Sequence, residues 1–267
     1  MNRQTIAALN RINRRFYQLQ SEDFSRTRQN SWPGWARVVA VFQERSRSAG
    51  AERRASILDA GCGNGRFRDY AASRIRGRIR YVGVDASVPL LVEARRSAVG
   101  STPLATALVA TDLATDGSLG CLRASGFDLA VVFGLLHHIP SRQARLRLLT
   151  DLSSCLRPNG LMAVSFWQFG EHHRYLRRAI SWKEYNRQAE ERIEISELEE
   201  GDMVLAWGEL LPGDMPSLGS AVRFCHFTNA TEAEELVGSL PMEVITGFSS
   251  DGEGGHQNLY FLLEKPR

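Results

Sequence analysis

Three glycines at alternate positions, Gly61, Gly63 and Gly65, follow a short apolar run that ends at Asp59. Glycines so spaced let the backbone turn tightly and approach a ligand closely, because no Cβ stands in the way. A second apolar run, residues 79–84, ends in Asp85, and a third ends shortly before Asp112. Carboxylates there would be short acceptors for hydroxyl or amino groups. A fourth run leads into Gly134 and the adjacent pair His137 and His138. A glycine loop with acids at the ends of the following strands is suited to a nucleotide-like ligand. The nicotinamide fingerprint would need its third glycine one residue later, and Arg66 occupies that position.

Strands and helices must alternate to bring these segments together. Apolar runs predict strands near 55–60, 79–84, 104–110, 127–133 and 160–167, with helices near 66–75, 87–98 and 141–156 and a short one near 116–124. Such alternation implies a parallel sheet covered on both faces, with the ligand outside the C-terminal strand ends. Ahead of it, Ile6, Leu9, Ile12, Phe16 and Leu19 mark an amphipathic helix over residues 2–19, expected to pack on the main domain. Residues 20–34 break that period and close on Trp-Pro-Gly. A second helix over 34–47 turns Trp35, Val38, Val39 and Phe42 inward. After Phe169 the alternation stops. A basic, aromatic helix (171–189), an acidic stretch (190–202) and a loop around 211–219 make an insertion too long for an ordinary connection. A helix near 231–239, with Thr231 and Glu234 as a capping box, and strands near 242–248 and 256–264 complete the sheet as an antiparallel pair.

The 43% hydrophobic content suits a globular protein with a sizeable core. No apolar run approaches a membrane span and the N-terminus lacks a signal peptide's apolar stretch, so a cytoplasmic protein is expected. Cys62, Cys121, Cys155 and Cys225 are scattered, and the paired histidines (His137–His138, His172–His173) would chelate poorly, so neither a disulfide framework nor a metal site is expected. Net charge is +3, unevenly spread. Residues 1–50 hold nine arginines against Glu22, Asp23 and Glu44, while the remainder holds 24 basic and 27 acidic residues. A basic arm on a near-neutral body suits contact with a phosphate backbone. The excess of Arg over Lys is equally what Arg-rich codon usage would produce.

A strand, Asp59 before the Gly-x-Gly-x-Gly loop, and a second strand ending in Asp85 resemble the first two motifs of the S-adenosylmethionine (SAM) methyltransferases. The resemblance implies a class I methyltransferase fold, a Rossmann-like seven-stranded sheet with helices on both faces, with an N-terminal helical extension (1–50) and an insertion after strand five (171–228) in the domain that follows (51–267). It implies SAM as cofactor. Asp59, Gly61, Cys62, Gly63 and Gly65 would lie under its amino-acid end, Asp85 and Ala86 at the ribose, and Asp112 and Leu113 at the adenine. Gly134 would close the site from the fourth strand. His137 or His138 becomes a substrate-side candidate.

Several segments also resemble a narrower family, the tRNA wobble-uridine carboxymethyl methyltransferases of yeast and of a human fusion enzyme. They are Phe-Ser-Arg-Thr-Arg (24–28), Trp-Pro-Gly-Trp (32–35), Leu-Asp-Ala-Gly-Cys-Gly-Asn-Gly-Arg (58–66), Leu-His-His-Ile (136–139) and Ser-Phe-Trp-Gln (165–168). Gly-Asp-Met-Val-Leu-Ala-Trp (201–207) and Arg-Phe-Cys-His-Phe-Thr (223–228) follow in the same order, before Glu235-Leu236. Two departures stand out: Cys225 replaces an aromatic residue, and the loop before Arg223 is longer and carries acidic Asp214. The resemblance implies methylation of a wobble-uridine carboxymethyl oxygen in tRNA. Arg28 and Arg223 would anchor the acceptor or a neighbouring phosphate, Asp202 and His226 would line the pocket, and Trp207 would stack on a base. It also implies a small activator subunit, which the uncharged edge strand 103–109 could accept, although a dimer contact or cover by the Arg-rich N-terminal helix would suit that strand as well. Methylation of a small carboxylic acid or hydroxyl compound is the alternative, and a non-catalytic SAM-binding subunit is a third reading.

Overall fold

The computed structural model describes residues 1–48, 54–97, 104–115, 117–120, 122, 126–208 and 221–267. Two helices, α1 (Arg3–Arg26) and α2 (Gly34–Ser48), precede an alternating run. It comprises β1 (Ala55–Ala60), α3 (Arg66–Arg74), β2 (Ile79–Asp85), α4 (Val88–Ser97), β3 (Leu104–Ala110), β4 (Phe127–Val132), α5 (Arg142–Cys155) and β5 (Leu156–Trp167). An insertion holds α6 (His173–Leu176), β6 (Ala179–Ile180), α7 (Trp182–Gln188), β7 (Asp202–Ala206) and β8 (Val222–His226). After it come α8 (Ala230–Gly238), β9 (Glu243–Ser250) and β10 (Asn258–Glu264).

The seven main strands lie in the order β3-β2-β1-β4-β5-β10-β9. β1 pairs parallel with both β2 and β4, while β10 runs antiparallel between β5 and β9. Strand order therefore reverses between β1 and β4, and a cleft opens at their C-terminal ends. Successive side chains of a strand point to opposite faces. Ile57, Tyr81 and Leu129 accordingly pack with Trp35, Val38 and Phe42 of α2 and Phe67 of α3. Leu58, Val82 and Ala130 pack instead with Leu148 and Leu152 of α5 and Leu236 of α8. With both faces covered, β4 is buried throughout, which is why its sequence reads as an unbroken apolar run. Among the described residues no helix is long and apolar enough to cross a membrane.

The N-terminal helix differs from expectation in length. Asn2 caps α1 by accepting from the Thr5 N–H, but the helix continues to Arg26 through the segment expected to break it. There Ser21 and Ser25 are buried, and Ser25 accepts from Asn64 of the glycine loop. The apolar period ends, but the tertiary contact carries the helix on. As expected, α1 packs on the domain that follows, its apolar face on the insertion, where Ala8, Leu9 and Ile12 meet Ile180, Val204 and Phe224, and the helix also contacts α4. Only α2 joins the main core. The insertion's sheet, ordered β6-β7-β8, has an apolar face that would otherwise be wet, and α1 is its cover.

Within the insertion, the single helix expected over 171–189 is divided into α6, β6 and α7, with Ser181 capping α7. The cap of α8 is Asn229, accepting from the Glu232 N–H at 2.9 Å, rather than Thr231. Of the short helix expected near 116–124, residues 117–120 and 122 are described and hold a turn that passes into 3₁₀ geometry, while the loop around 211–219 lies outside the described residues. At the other edge, β3 pairs with β2 and exposes residues 105–107.

Asn13, on the buried side of α1, ties these parts together. Its Oδ1 accepts from the Phe224 N–H at 2.9 Å and its Nδ2 donates to the His138 carbonyl at 3.3 Å. Asn13→Ala leaves both buried backbone groups without a partner and should lower the unfolding free energy by about 2 kcal/mol in urea denaturation. A midpoint equal to wild type would show that α1 is not held there.

Candidate functional site

The turn after β1 is built as its glycines require. Gly61, Gly63 and Gly65 have φ of 78°, 53° and 83°, in the left-handed region that side chains disfavour. The N–H groups of Gly61 and Cys62 both donate to the Val84 carbonyl, at 2.8 and 3.1 Å. Gly65 ends the turn as the N-cap of α3. Asp85 latches the loop from β2: its two carboxylate oxygens accept from the N–H of Gly63 and of Ser87, each at 2.8 Å. Burial raises its pKa, and those backbone donors work against the rise. Asp59 lies below the loop, 2% exposed, and accepts from the Tyr81 hydroxyl. Burial pushes its pKa up to about 7 against the opposing effect of that hydrogen bond.

Above these strand ends lies a cavity of about 770 Å³, within the usual range for small-ligand sites. Of the residues singled out for a cofactor, Asp59, Gly61, Cys62, Gly63, Asp85, Ala86, Asp112, Leu113 and Gly134 all line it. Gly65 does not. A Cβ on Gly63 would meet only Leu90, at 4.0 Å, so that face of the loop is open. Asp112 accepts from the Ala114 N–H at 3.0 Å and is ion-paired with Arg14, which reaches down from α1. Gly134 donates its N–H to Ser165 at 3.2 Å, and its own φ is 68°.

Basic groups gather at the other end. Arg223, on β8, is 5% exposed, and its guanidinium lies 5.0 Å from the Trp207 ring, 5.2 Å from Trp167 and 5.6 Å from Phe16. Its Nε is buried without a hydrogen-bond partner, and among the described residues no carboxylate pairs with it. Arg28 lies over Phe24 at 5.4 Å and over Trp207 at 5.7 Å, and burial, then Arg223, lowers its pKa. Both arginines line the cavity. Trp207 is not among its lining residues. Its indole N–H donates to Asp23 at 2.7 Å and its face backs the two guanidiniums, so it is not placed to stack on a base.

The two histidines divide. His138 is fastened at both nitrogens: Nδ1 donates to the Phe224 carbonyl at 2.9 Å, which leaves Nε2 to accept from the Tyr17 hydroxyl at 2.8 Å. Burial, with Arg223 nearby, lowers its pKa to about 3. It is a strut. His137 lies 4.1 Å from it and 5.0 Å from Trp167, ring to ring, and faces the cavity. Burial first, then the adjoining His138 and the arginines, hold it well below the ordinary range and so neutral.

Asp202 and His226 are not in the cavity. They belong to a separate buried cluster in which His226 Nδ1 meets Asp202 at 2.8 Å and Nε2 meets Glu232 at 3.0 Å. The fully buried Arg145 of α5 bridges Glu199 and Glu232 at 2.9 and 2.7 Å. Glu199, Asp202 and His226 bring ligand-type atoms within 4.8 Å of one another, and the guanidinium supplies the positive charge they need. The cluster fastens the insertion to the main domain. Cys225, where the family resemblance implies an aromatic residue, is buried 3.9 Å from His138, and burial pushes its thiol up to about 11.

Sequence reading missed Tyr17, Trp167, Arg174 and Tyr175, all of which line the cavity. Trp167 belongs to the Ser-Phe-Trp-Gln segment, which is a usable signal. Tyr17 borders the apolar stripe of α1, and Arg174 and Tyr175 lie in the segment expected to be one helix, so nothing local distinguishes them.

Residues 58–162 match the family model described as a methyltransferase domain. The human protein named "Probable tRNA methyltransferase 9B" is 25% identical over 171 residues, 64% of this chain and 32% of that protein. The Arabidopsis thaliana "tRNA (carboxymethyluridine(34)-5-O)-methyltransferase" is 29% identical over 153 residues, 57% of this chain and 32% of the relative. The chain thus spans about a third of the length of both. Among solved structures, SAM-bound CalS10, an amino pentose methyltransferase from Micromonospora echinaspora, aligns with a TM-score of 0.56 at 17% identity, over 91% of this chain and 95% of its own. The magnesium protoporphyrin IX methyltransferase of Synechocystis, crystallised with S-adenosyl-l-homocysteine, gives 0.56 at 15%, over 95% and 98%. At these identities the shared property is the fold.

Burial disfavours a charged His226, but its bonds to Asp202 and Glu232 outweigh that and raise its pKa above the ordinary value. The stability it contributes should be complete below its unfolded pKa near 6.5 and vanish as pH rises through the folded value. The difference in unfolding free energy between wild type and His226→Gln should therefore be larger at about pH 6 than at about pH 9. A difference independent of pH would exclude a charged ring.

Proposed function

We propose, from the premise that this chain carries a methyltransferase domain of the SAM-dependent class, that its acceptor is a carboxylate, and that the carboxylate is the carboxymethyl group of a wobble uridine in tRNA. The observation that supports this best is Arg223. A buried cation surrounded by aromatic rings, with no carboxylate partner among the described residues, is costly unless a ligand supplies the anion. Arg28 adds a second positive charge beside it.

The cofactor supplies an electrophilic methyl group on a sulfonium when bound. The acidic end of the cavity fits it: Asp59 can face the ammonium of its amino-acid end, and Asp85 keeps lone pairs for ribose hydroxyls beyond the two it uses on Gly63 and Ser87. Asp112, already fastened by Arg14, can accept from the adenine amino group. An ionised carboxylate gives no proton when it is methylated, so no general base is needed. Neutral His137 and doubly bonded His138 agree with that economy. The arginines have only to hold one carboxylate oxygen in line with the methyl group while the aromatic walls exclude water.

The human and Arabidopsis relatives, both named for tRNA methylation, favour RNA as the source of the carboxylate. A small carboxylic acid is the second reading, favoured by the pairing of the basic N-terminal arm with acids of this same chain, as in Arg11–Glu191. Nucleoside mass spectrometry of tRNA from cells with and without the gene separates the two. Loss of a methyl ester on wobble uridine, with the free acid accumulating, is expected. An unchanged profile would move the search to small acids.

Two further outcomes are expected in vitro. Arg223→Ala should reduce kcat/KM about 100-fold, roughly 2.7 kcal/mol, with cofactor affinity kept, and Arg223→Lys should recover part of it. An equal loss of cofactor affinity would place Arg223 at the wrong end. With the Asp59 carboxyl titrating near 7, affinity for the cationic cofactor should rise from about pH 6 to about pH 8 as Asp59 ionises. Asp59→Asn should flatten that profile in calorimetric titration.

A further inference from the structure

The arm that the sequence offers for a phosphate backbone is partly committed elsewhere, four of its nine arginines being paired with acids of this chain. Arg11 pairs with Glu191, Arg14 with Asp112, Arg26 with Asp23 and Arg45 with Glu264. Charge of the same sign recurs at the start of the insertion. Residues 170–178 read Gly-Glu-His-His-Arg-Tyr-Leu-Arg-Arg, three arginines and two histidines against one acid.

This segment stands at the mouth of the cavity. The Tyr175 ring meets Trp167 edge-on at 4.8 Å, and both line the cavity's basic end together with Arg174. The Arg174 guanidinium lies 4.7 Å from the Tyr175 ring and that of Arg178 5.9 Å from it. Arg174 also donates to Gln257 at 3.0 Å. Arg174 and Arg177 are exposed, and Leu176 is 37% exposed. Arg174 and Arg178 therefore lie against an aromatic ring that lines the same cavity as the buried Arg223.

We propose that residues 172–178 form the track on which the phosphate backbone of a single-stranded RNA loop lies while its modified base enters the cavity. The proposal rests on the RNA reading of the site. A small acid is already served by Arg223 and Arg28 and gains little from three more arginines outside. A polyanion gains from each, because every phosphate neutralised releases a counterion. Aromatic rings interleaved with guanidiniums are the means by which splayed single strands are held, through base stacking and backbone charge together.

The test is an anisotropy titration of the full chain against a labelled anticodon stem-loop RNA carrying carboxymethyluridine, at several salt concentrations. Arg174→Ala with Arg177→Ala should weaken binding at least tenfold. It should also lower the slope of log affinity against log salt by about 1.4, roughly 0.7 for each single-strand phosphate that is no longer neutralised. Arg11→Ala should leave both quantities near wild type. Arg177→Glu alone, at an exposed position, provides the same reading if the double variant melts early. Wild-type affinity and slope in these variants, with RNA still bound and methylated by wild type, would overturn the track and leave the RNA reading intact. Absence of RNA binding by wild type, with methylation of a small acid, would overturn both.

Discussion

An edge strand has backbone groups that must find partners, and at the free edge of β8 the cavity is assembled around that need. β8 pairs only with β7 among the described strands. The Phe224 N–H is taken by Asn13 of α1, and its carbonyl by His138 from the motif after β4. One residue therefore joins the N-terminal helix, the insertion and the main sheet. Its neighbours on the same strand do the rest: Arg223 enters the cavity, and His226 enters the ion cluster built on Arg145. A shift of β8 by one residue would exchange the two faces, leaving the cavity without Arg223.

The cavity is divided by charge. Asp59 and Asp85 stand at the strand ends, and Arg28 and Arg223 stand under the insertion. Each group is unfavourably desolvated alone: burial raises the pKa of both acids and lowers that of Arg28. A cationic cofactor at one end and an anionic acceptor at the other would relieve both costs together. The aromatic walls contribute the low polarity that makes the unpaired charges matter, and Trp207 contributes from behind by backing the guanidiniums.

The basic N-terminal arm shows what a composition argument leaves undecided. Nine arginines in the first fifty residues are a real asymmetry, yet α1 uses part of them on Glu191 and Asp112. The acidic stretch at 190–202, remote in sequence, supplies one of those counterparts. Net charge by segment does not reveal which charges meet, because pairing across some 180 residues is a property of packing alone.

The glycine loop, Asp85 and the alternation of strands and helices were legible because they are local. Positive φ demands glycine at Gly61 and Gly63, and a strand buried on both faces reads as an apolar run whatever surrounds it. Those features sufficed for the doubly covered sheet, its seven strands and the glycine-loop end of the cavity. The Arg223 end was not legible in the same way. His226 stands close in sequence to Arg223, but strand alternation directs it to the other face of β8, and Asp202 and Trp207 are engaged by His226 and Asp23 instead. Tyr17, Trp167 and Tyr175 reach the cavity from three elements that meet only after folding. Sequence determined what each segment is, since backbone geometry and burial period are written in neighbouring residues. Tertiary structure decided which side chains share a space, since that depends on contacts between segments that carry no local mark of one another.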